Sequence, residues 1–142
     1  MQLLIIFSAI FCLAAAQLIQ ECPADGRMVK CATNSAQVCG IKGNGKLIKH
    51  TFINHCIACQ IGKVDFTVSG KCEDYHPEAN FCSPAENRVE NCTNDVDISC
   101  AYFNKNIKCF VPPCTIQIEN RCQACVSPNI LYTIQGNCKN NI

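Results

Sequence analysis

The chain has 142 residues, of which 15 are cysteine, a density that marks a short chain as a disulfide scaffold. Residues 17–76 carry seven basic and five acidic side chains, and residues 77–142 carry five and six, so neither half is basic enough to favour nucleic acid or an anionic membrane as a partner. No Ser/His/Asp set, carboxylate pair or metal-ligand set stands out. The chain is therefore expected not to be an enzyme and to need no metal or other cofactor.

The amino-terminal segment has the pattern of a signal peptide. Residues 3–13 are an apolar run, and Ala14-Ala15-Ala16 follows as a small-residue cleavage pattern. Removing residues 1–16 takes away Cys12 and leaves fourteen cysteines, an even number. A membrane anchor is the alternative, but about fourteen apolar residues are too few to span a bilayer comfortably. We expect a secreted, extracellular protein that no longer associates with a membrane after signal removal, with its cysteines paired as cystines.

The cysteine spacing divides the rest of the chain into two units. Residues 21–72 form the first, residues 81–138 the second, and the polar, proline-containing residues 73–80 are predicted to link them. Successive cysteines are separated by eight, seven, sixteen, two and twelve residues in the first unit, and by nine, seven, twenty-one, two and twelve in the second. This count leaves out Cys109 and Cys114, which are interpreted as an extra pair that closes an insertion. A unit of this size needs such crosslinks because its apolar core is small.

Local patterns predict a few short elements in each unit. Strands are expected at residues 47–52, after a turn at Gly43-Asn44-Gly45, and at residues 64–68 and 130–134. Residues 54–60 are the best candidate for a helix, which would place the two cysteines of its Cys-x-x-Cys on one face. Such motifs also occur as redox dithiols or zinc ligands, but the many other cysteines and the signal peptide favour structural cystines. The expected fold is a small α+β module that occurs twice.

Three features recur at matching positions in the two units. Each has a seven-residue segment between its second and third cysteines, an asparagine two residues before its Cys-x-x-Cys, and a closing Gly-x-Cys. In the first unit these features are Cys31 to Cys39, Asn54 before Cys56-x-x-Cys59, and Gly70-x-Cys72; in the second they are Cys92 to Cys100, Asn120 before Cys122-x-x-Cys125, and Gly136-x-Cys138. The first unit also contains Val38-Cys39-Gly40 and Thr51-Phe52, whereas the second lacks the Val-Cys-Gly and has Ile118 in the position of Phe52.

This pattern resembles the Kazal family of serine-protease inhibitors and the related Kazal-like extracellular modules. The cysteine positions alone allow fifteen pairings in each unit. The resemblance implies a pairing of first with fifth, second with fourth and third with sixth, and a short helix with a small antiparallel sheet in each unit. The implied disulfides are Cys22–Cys59, Cys31–Cys56, Cys39–Cys72, Cys82–Cys125, Cys92–Cys122 and Cys100–Cys138, and residue parity adds Cys109–Cys114.

The resemblance also implies a function, which is inhibition of a serine endopeptidase by a substrate-like loop between the second and third cysteines. The bonds offered to the enzyme would be Thr33–Asn34 in the first unit and Asn94–Asp95 in the second. Because neither Thr33 nor Asn94 is basic, trypsin-like enzymes are not the expected targets. Thr33 favours an enzyme with a small pocket, of the elastase or subtilisin type, for the first unit, whereas Asp95 and Asp97 make the second loop acidic and indicate no target. The alternative is a non-inhibitory extracellular module that binds another protein or acts as a scaffold.

Asn54 and Asn120 are the predicted supports of these loops. In the family, an asparagine at this position hydrogen-bonds the loop backbone from beneath, and an amide can donate and accept at once. A simpler interpretation is that each asparagine caps the helix that follows it, and both roles are compatible. Asn91-Cys92-Thr93 is in addition a formal N-glycosylation sequon. The protein is expected to be a monomer.

Overall fold

The computed structural model describes residues 18–25, 30–43 and 48–140, which form two four-stranded antiparallel sheets and a few short helices. The signal peptide predicted at residues 1–16 and the Asn44-Gly45 part of the predicted turn lie outside the described residues. Among the described residues there is no helix with the length and hydropathy needed to cross a membrane.

The first sheet has the strand order β1-β4-β2-β3, and each neighbouring pair is antiparallel. A short helix, α1, connects the edge strand β3 to the inner strand β4. The elements are β1 (Ile19–Glu21), β2 (Val38–Lys42), β3 (Ile48–Phe52), α1 (His55–Gln60) and β4 (Phe66–Ser69).

The second sheet repeats this arrangement with the order β5-β8-β6-β7 and a helix, α2, between β7 and β8. The fold is thus small, disulfide-rich α+β, with one topology used twice. The strands predicted at residues 47–52, 64–68 and 130–134 overlap β3, β4 and β8, and the predicted helix overlaps α1. The elements are β5 (Asn80–Phe81), β6 (Ser99–Phe103), β7 (Thr115–Ile118), α2 (Arg121–Cys125) and β8 (Ile130–Gln135).

Seven disulfides crosslink the described residues, and their pairs are those that the resemblance and residue parity imply. Helices of five and six residues are too short to be stable in isolation. Each is instead tied by two cystines to the segments packed around it. The pairs are Cys22–Cys59, Cys31–Cys56, Cys39–Cys72, Cys82–Cys125, Cys92–Cys122, Cys100–Cys138 and Cys109–Cys114.

The two sheets share a hydrophobic core. Phe81, at the start of the second unit, is fully buried with Ile41 and Phe66 of the first. Its ring makes edge-to-face contacts with Tyr75, at 5.0 Å between centroids, and with Tyr132, at 5.6 Å. Residues 73–80, predicted as a linker, therefore contribute to this core through Tyr75 and Ala79. The two units pack directly against one another.

A glycine in β2 makes room for the aromatic ring of Phe52. A Cβ built on Gly40 would lie 2.6 Å from a ring carbon of Phe52, closer than real contacts allow. In the second unit, Ala101 follows the third cysteine where Gly40 does in the first, and the smaller Ile118 packs against the cluster that contains Ala101. The first unit therefore combines a glycine with a large aromatic ring, and the second combines an alanine with a smaller side chain in the corresponding positions.

Candidate functional site

The first candidate loop is an exposed segment on the protein surface. Residues 32–37 are all exposed and belong to no helix or strand, between the half-buried Cys31 and the buried Val38. The side chains of this segment are polar or small, so burial of apolar surface does not hold it against the core. Its conformation must therefore be held by backbone contacts and by its ends.

Asn54 makes those contacts from beneath the loop. Its side-chain Nδ2 donates to the carbonyl of Ala32 and to the carbonyl of Asn34, each at 3.0 Å. Its Oδ1 accepts the N–H of Ile57 at 2.9 Å and so caps α1. Asn54 is 7 % exposed, so these bonds are shielded from water. The two predicted roles of Asn54, loop support and helix cap, occur together in one side chain.

Further bonds hold the two ends of the loop. At the amino-terminal end Cys31 is crosslinked to Cys56 of α1. At the other end the N–H of Ala36 donates to the carbonyl of Ile53 at 3.0 Å, and the N–H of Gly70 donates to the carbonyl of Gln37 at 2.9 Å. Gly70 is the glycine of the closing Gly-x-Cys motif. Its φ of 92°, a conformation that favours glycine, orients this donor toward the loop.

The second loop is held in the same way. Asn120 is 8 % exposed, donates to the carbonyls of Thr93 at 2.7 Å and Asp95 at 2.8 Å, and accepts the N–H of Gln123 at 3.1 Å. The end contacts are repeated as well: Asp97 N–H to Glu119 carbonyl at 2.7 Å, Gly136 N–H to Ile98 carbonyl at 2.9 Å, and the Cys92–Cys122 disulfide.

Thr33 and Asn94 occupy corresponding positions in these two arrangements. Each lies between the two carbonyls that the supporting asparagine binds, and each side chain is exposed. No hydrogen bond joins either side chain to another of the described residues, so both are available to a partner. In each unit the structure thus presents a backbone segment that is held at two carbonyls, with an exposed side chain between them.

The surroundings of the two loops differ in charge. The second loop carries Asp95 and Asp97, and Glu119 is exposed beside its base. The first loop has no acidic residue; it borders an apolar groove of about 430 Å³ that Ala32, Val38 and His55 help to line. His55 is in hydrogen-bond contact with Thr67 through Nδ1 and Oγ1 at 2.7 Å, and burial lowers the pKa of its imidazole.

The same histidine lies close to a disulfide. The ligand atoms of Cys22, His55 and Cys59 are within 4.8 Å of one another, a spacing that would suit a metal ion. The two sulfurs are bonded to each other, however, and so are not present as the thiolates that zinc requires. This cluster is a structural crosslink with a histidine packed beside it.

The predicted sequon lies at the edge of the second loop. Asn91 and Thr93 are exposed, while the intervening Cys92 is held in its disulfide. A glycan on Asn91 would stand next to the segment that contains Asn94. Modification at this site stays a prediction.

No protein-family model matches the chain, and no significantly similar curated protein or solved structure was found.

Proposed function

We propose that the protein is a secreted Kazal-type inhibitor of serine endopeptidases, in which the first loop occupies the enzyme cleft as a substrate would. One observation carries this proposal: Asn54 binds the carbonyls on both sides of Thr33 and leaves the Thr33 side chain outside. A segment fixed in this way has little conformational entropy left to lose on binding, so a small contact area gives high affinity.

The same geometry explains how attack on the Thr33–Asn34 bond would be unproductive. Cys31 stays crosslinked to Cys56 on the acyl side of the bond, and on the amine side Asn34 stays hydrogen-bonded to Asn54. The new amine is therefore kept next to the acyl-enzyme at a high effective concentration, which favours resynthesis of the bond over release. The enzyme's own oxyanion donors would stabilise the carbonyl of Thr33 during attack.

The size of Thr33 defines the class of enzyme. Its side chain is short, uncharged and β-branched, which suits a small pocket of the elastase or subtilisin type. In a trypsin-like enzyme it would leave the acidic group of the pocket without a basic partner. The export of the protein, which is part of this proposal, would place it with extracellular enzymes. Its disulfide content supports folding in an oxidising compartment.

The alternative function is a non-inhibitory extracellular module that binds another protein or acts as a scaffold. The second unit favours it, because in its loop Asn94 is followed by the acidic Asp95 and Asp97, which suits none of the enzyme classes above. A chain with one inhibitory and one protein-binding unit is compatible with both proposals.

A panel of elastase-, subtilisin-, chymotrypsin- and trypsin-type enzymes tests the proposal. We expect the intact protein to slow an elastase- or subtilisin-type enzyme at submicromolar concentration and the trypsin-type enzyme not at all. Slow cleavage should occur at Thr33–Asn34, and sequencing of the new amino terminus identifies it. Reduced and alkylated protein is the matched control, and it should be digested as a substrate. If no enzyme of the panel is slowed at micromolar protein, inhibition is refuted and the alternative remains.

A further inference from the structure

The most exposed apolar side chains of the described residues lie on a small disulfide ring. Residues 109–114 read Cys-Phe-Val-Pro-Pro-Cys and are closed by the Cys109–Cys114 bond. Phe110 has a relative exposure of 106 % and Val111 of 79 %, so neither packs against the protein. Both lie at the tip of the β6–β7 hairpin, outside the two candidate inhibitory loops.

The base of this insertion is well anchored. Asn104 is 9 % exposed; its side chain donates to the carbonyl of Pro128 at 3.2 Å, and its N–H donates to the carbonyl of Asn129 at 2.8 Å. The N–H of Phe103 donates to the carbonyl of Cys114 at 3.0 Å and closes the hairpin below the ring. The projection is thus anchored at its base and closed by a disulfide at its tip, which lowers the entropic cost of ordering it on binding.

Charge is separated along the hairpin. Residues 99–118 contain Lys105 and Lys108, both exposed, and no Asp or Glu. The acidic residues of this unit's loop, Asp95 and Asp97, lie at the opposite end of β6, about 16 Å away for a strand of five residues. The unit therefore has a basic, apolar tip and an acidic loop at its two ends.

We propose that the 109–114 ring inserts into the interface of an anionic lipid membrane. Phenylalanine and the neighbouring apolar residues partition into the region between headgroups and acyl chains, and lysines beside them bind the lipid phosphates. This differs from the expectation, drawn from the net charge of each half, that the protein does not associate with a membrane. The whole chain is close to neutral, and the attraction comes from the tip alone. The charge separation orients the unit, because the acidic loop is repelled by the same surface and faces away from it.

The absence of tryptophan from the chain allows a direct test. Phe110→Trp places a single fluorophore in the ring, and Ile61→Trp places one at another surface position, where the native side chain is 71 % exposed. With phosphatidylcholine vesicles that contain phosphatidylserine, the emission of the Phe110→Trp protein should shift to the blue and become shielded from aqueous quenchers. The Ile61→Trp protein should show neither change. Equal behaviour of the two variants, or no shift in Phe110→Trp, would overturn the proposal.

Charge variants separate lipid binding from a general apolar attraction. Replacing Lys105 and Lys108 together by glutamine should weaken partitioning to the anionic vesicles about thirtyfold, and salt should weaken it in the parent protein. Pure phosphatidylcholine vesicles should bind far less of the parent protein. In Phe110→Ser the lysines remain, and sedimentation with anionic vesicles should fall at least tenfold. If Phe110→Ser sediments as the parent does, or if both vesicle types bind equally, the ring is not the lipid contact that we propose.

Both tests measure binding to lipid vesicles and not inhibition, so their outcome does not depend on whether the protein slows a protease. Folding of each variant is checked by its count of protected thiols and its thermal midpoint, which should match those of the parent because the altered side chains are exposed.

Discussion

Asn120 makes for the second loop the same three hydrogen bonds that Asn54 makes for the first. Each amide donates to the carbonyls on either side of an exposed residue and accepts one N–H from the first turn of a helix. A carboxylate of the same shape keeps the acceptor and loses the donors. The two roles of the amide are therefore separable by substitution.

Asn54→Asp should keep the cap of α1 and loosen the first loop. Two donors are lost, each worth about 1 kcal/mol, and a carboxylate is placed against two carbonyl oxygens. Asn54→Ala should lose the cap as well, at a further cost of about 1 kcal/mol in the free energy of unfolding. Hydrogen exchange of residues 32–37 measures the loosening, and Asn120→Asp, which should leave those amides unchanged, is the control. Unaltered exchange in Asn54→Asp would show that the disulfide alone holds the loop.

Thr33→Leu should create or strengthen inhibition of a chymotrypsin-type enzyme. A leucine in a large apolar pocket buries more surface than threonine, for a gain of about 1–2 kcal/mol, or roughly tenfold in affinity. Ser35→Leu adds the same side chain two residues along the loop and should give no comparable gain. Equilibrium inhibition constants for the three proteins provide the comparison, and equal constants would favour the scaffold alternative.

Gly40→Ala should destabilise the protein by about 1–3 kcal/mol, because the new methyl group meets the ring of Phe52. In a Phe52→Ile background, which imitates Ala101 and Ile118 of the second unit, the same substitution should cost much less. Denaturant unfolding of the four proteins under non-reducing conditions gives the coupling energy. A coupling near zero would mean that the ring does not set the choice of glycine.

The elements that could be predicted from the sequence are those with local signals. The helix after Asn54 follows from its cap, and β8 from its run of β-branched and apolar residues. Inner strands β2 and β6 lack such a signal, since Val-Cys-Gly-Ile-Lys and Ser-Cys-Ala-Tyr-Phe contain small residues that become strand only through pairing on both sides. Tertiary context decides their conformation.

Within the candidate site, the resemblance to the Kazal pattern predicted the two supporting asparagines, but not the other groups that hold the loops. The carbonyls of Ile53 and Glu119 hold the far end of each loop, and a backbone carbonyl has no sequence signature. The packing of Phe81 across both sheets is likewise a long-range contact. Its place just after a polar, proline-containing segment makes it look like the start of an independent unit.

Phe81→Ala tests this shared core. Removing a fully buried phenylalanine should cost about 3–5 kcal/mol in the free energy of unfolding, and contacts from both sheets are lost. We expect the parent to unfold in one transition and the variant in one transition at lower denaturant. The contrary result, a variant whose first unit keeps the parent midpoint while the second unfolds early, would show that the units are thermodynamically independent.

The Glu86–Arg121 ion pair predicts a loss of stability in acid. Burial raises the pKa of the Glu86 carboxyl, but hydrogen bonds from Arg121 and from the backbone of Ser83 outweigh burial, and the folded pKa lies below the ordinary value of 4.5. A carboxyl with a lowered folded pKa contributes stability that is complete above its unfolded pKa and disappears as the pH falls through the folded one. The thermal midpoint of the parent should therefore decrease once the pH is below about 4.5, and the midpoint of Glu86→Gln should decrease less.

Glu21→Gln is the control, because the ion pair of Glu21 with Arg88 is exposed and contributes little. In that pair 64 % of the Arg88 side chain and 52 % of the Glu21 side chain are open to solvent. If Glu86→Gln and the parent lose stability in parallel, other carboxylates govern the acid transition.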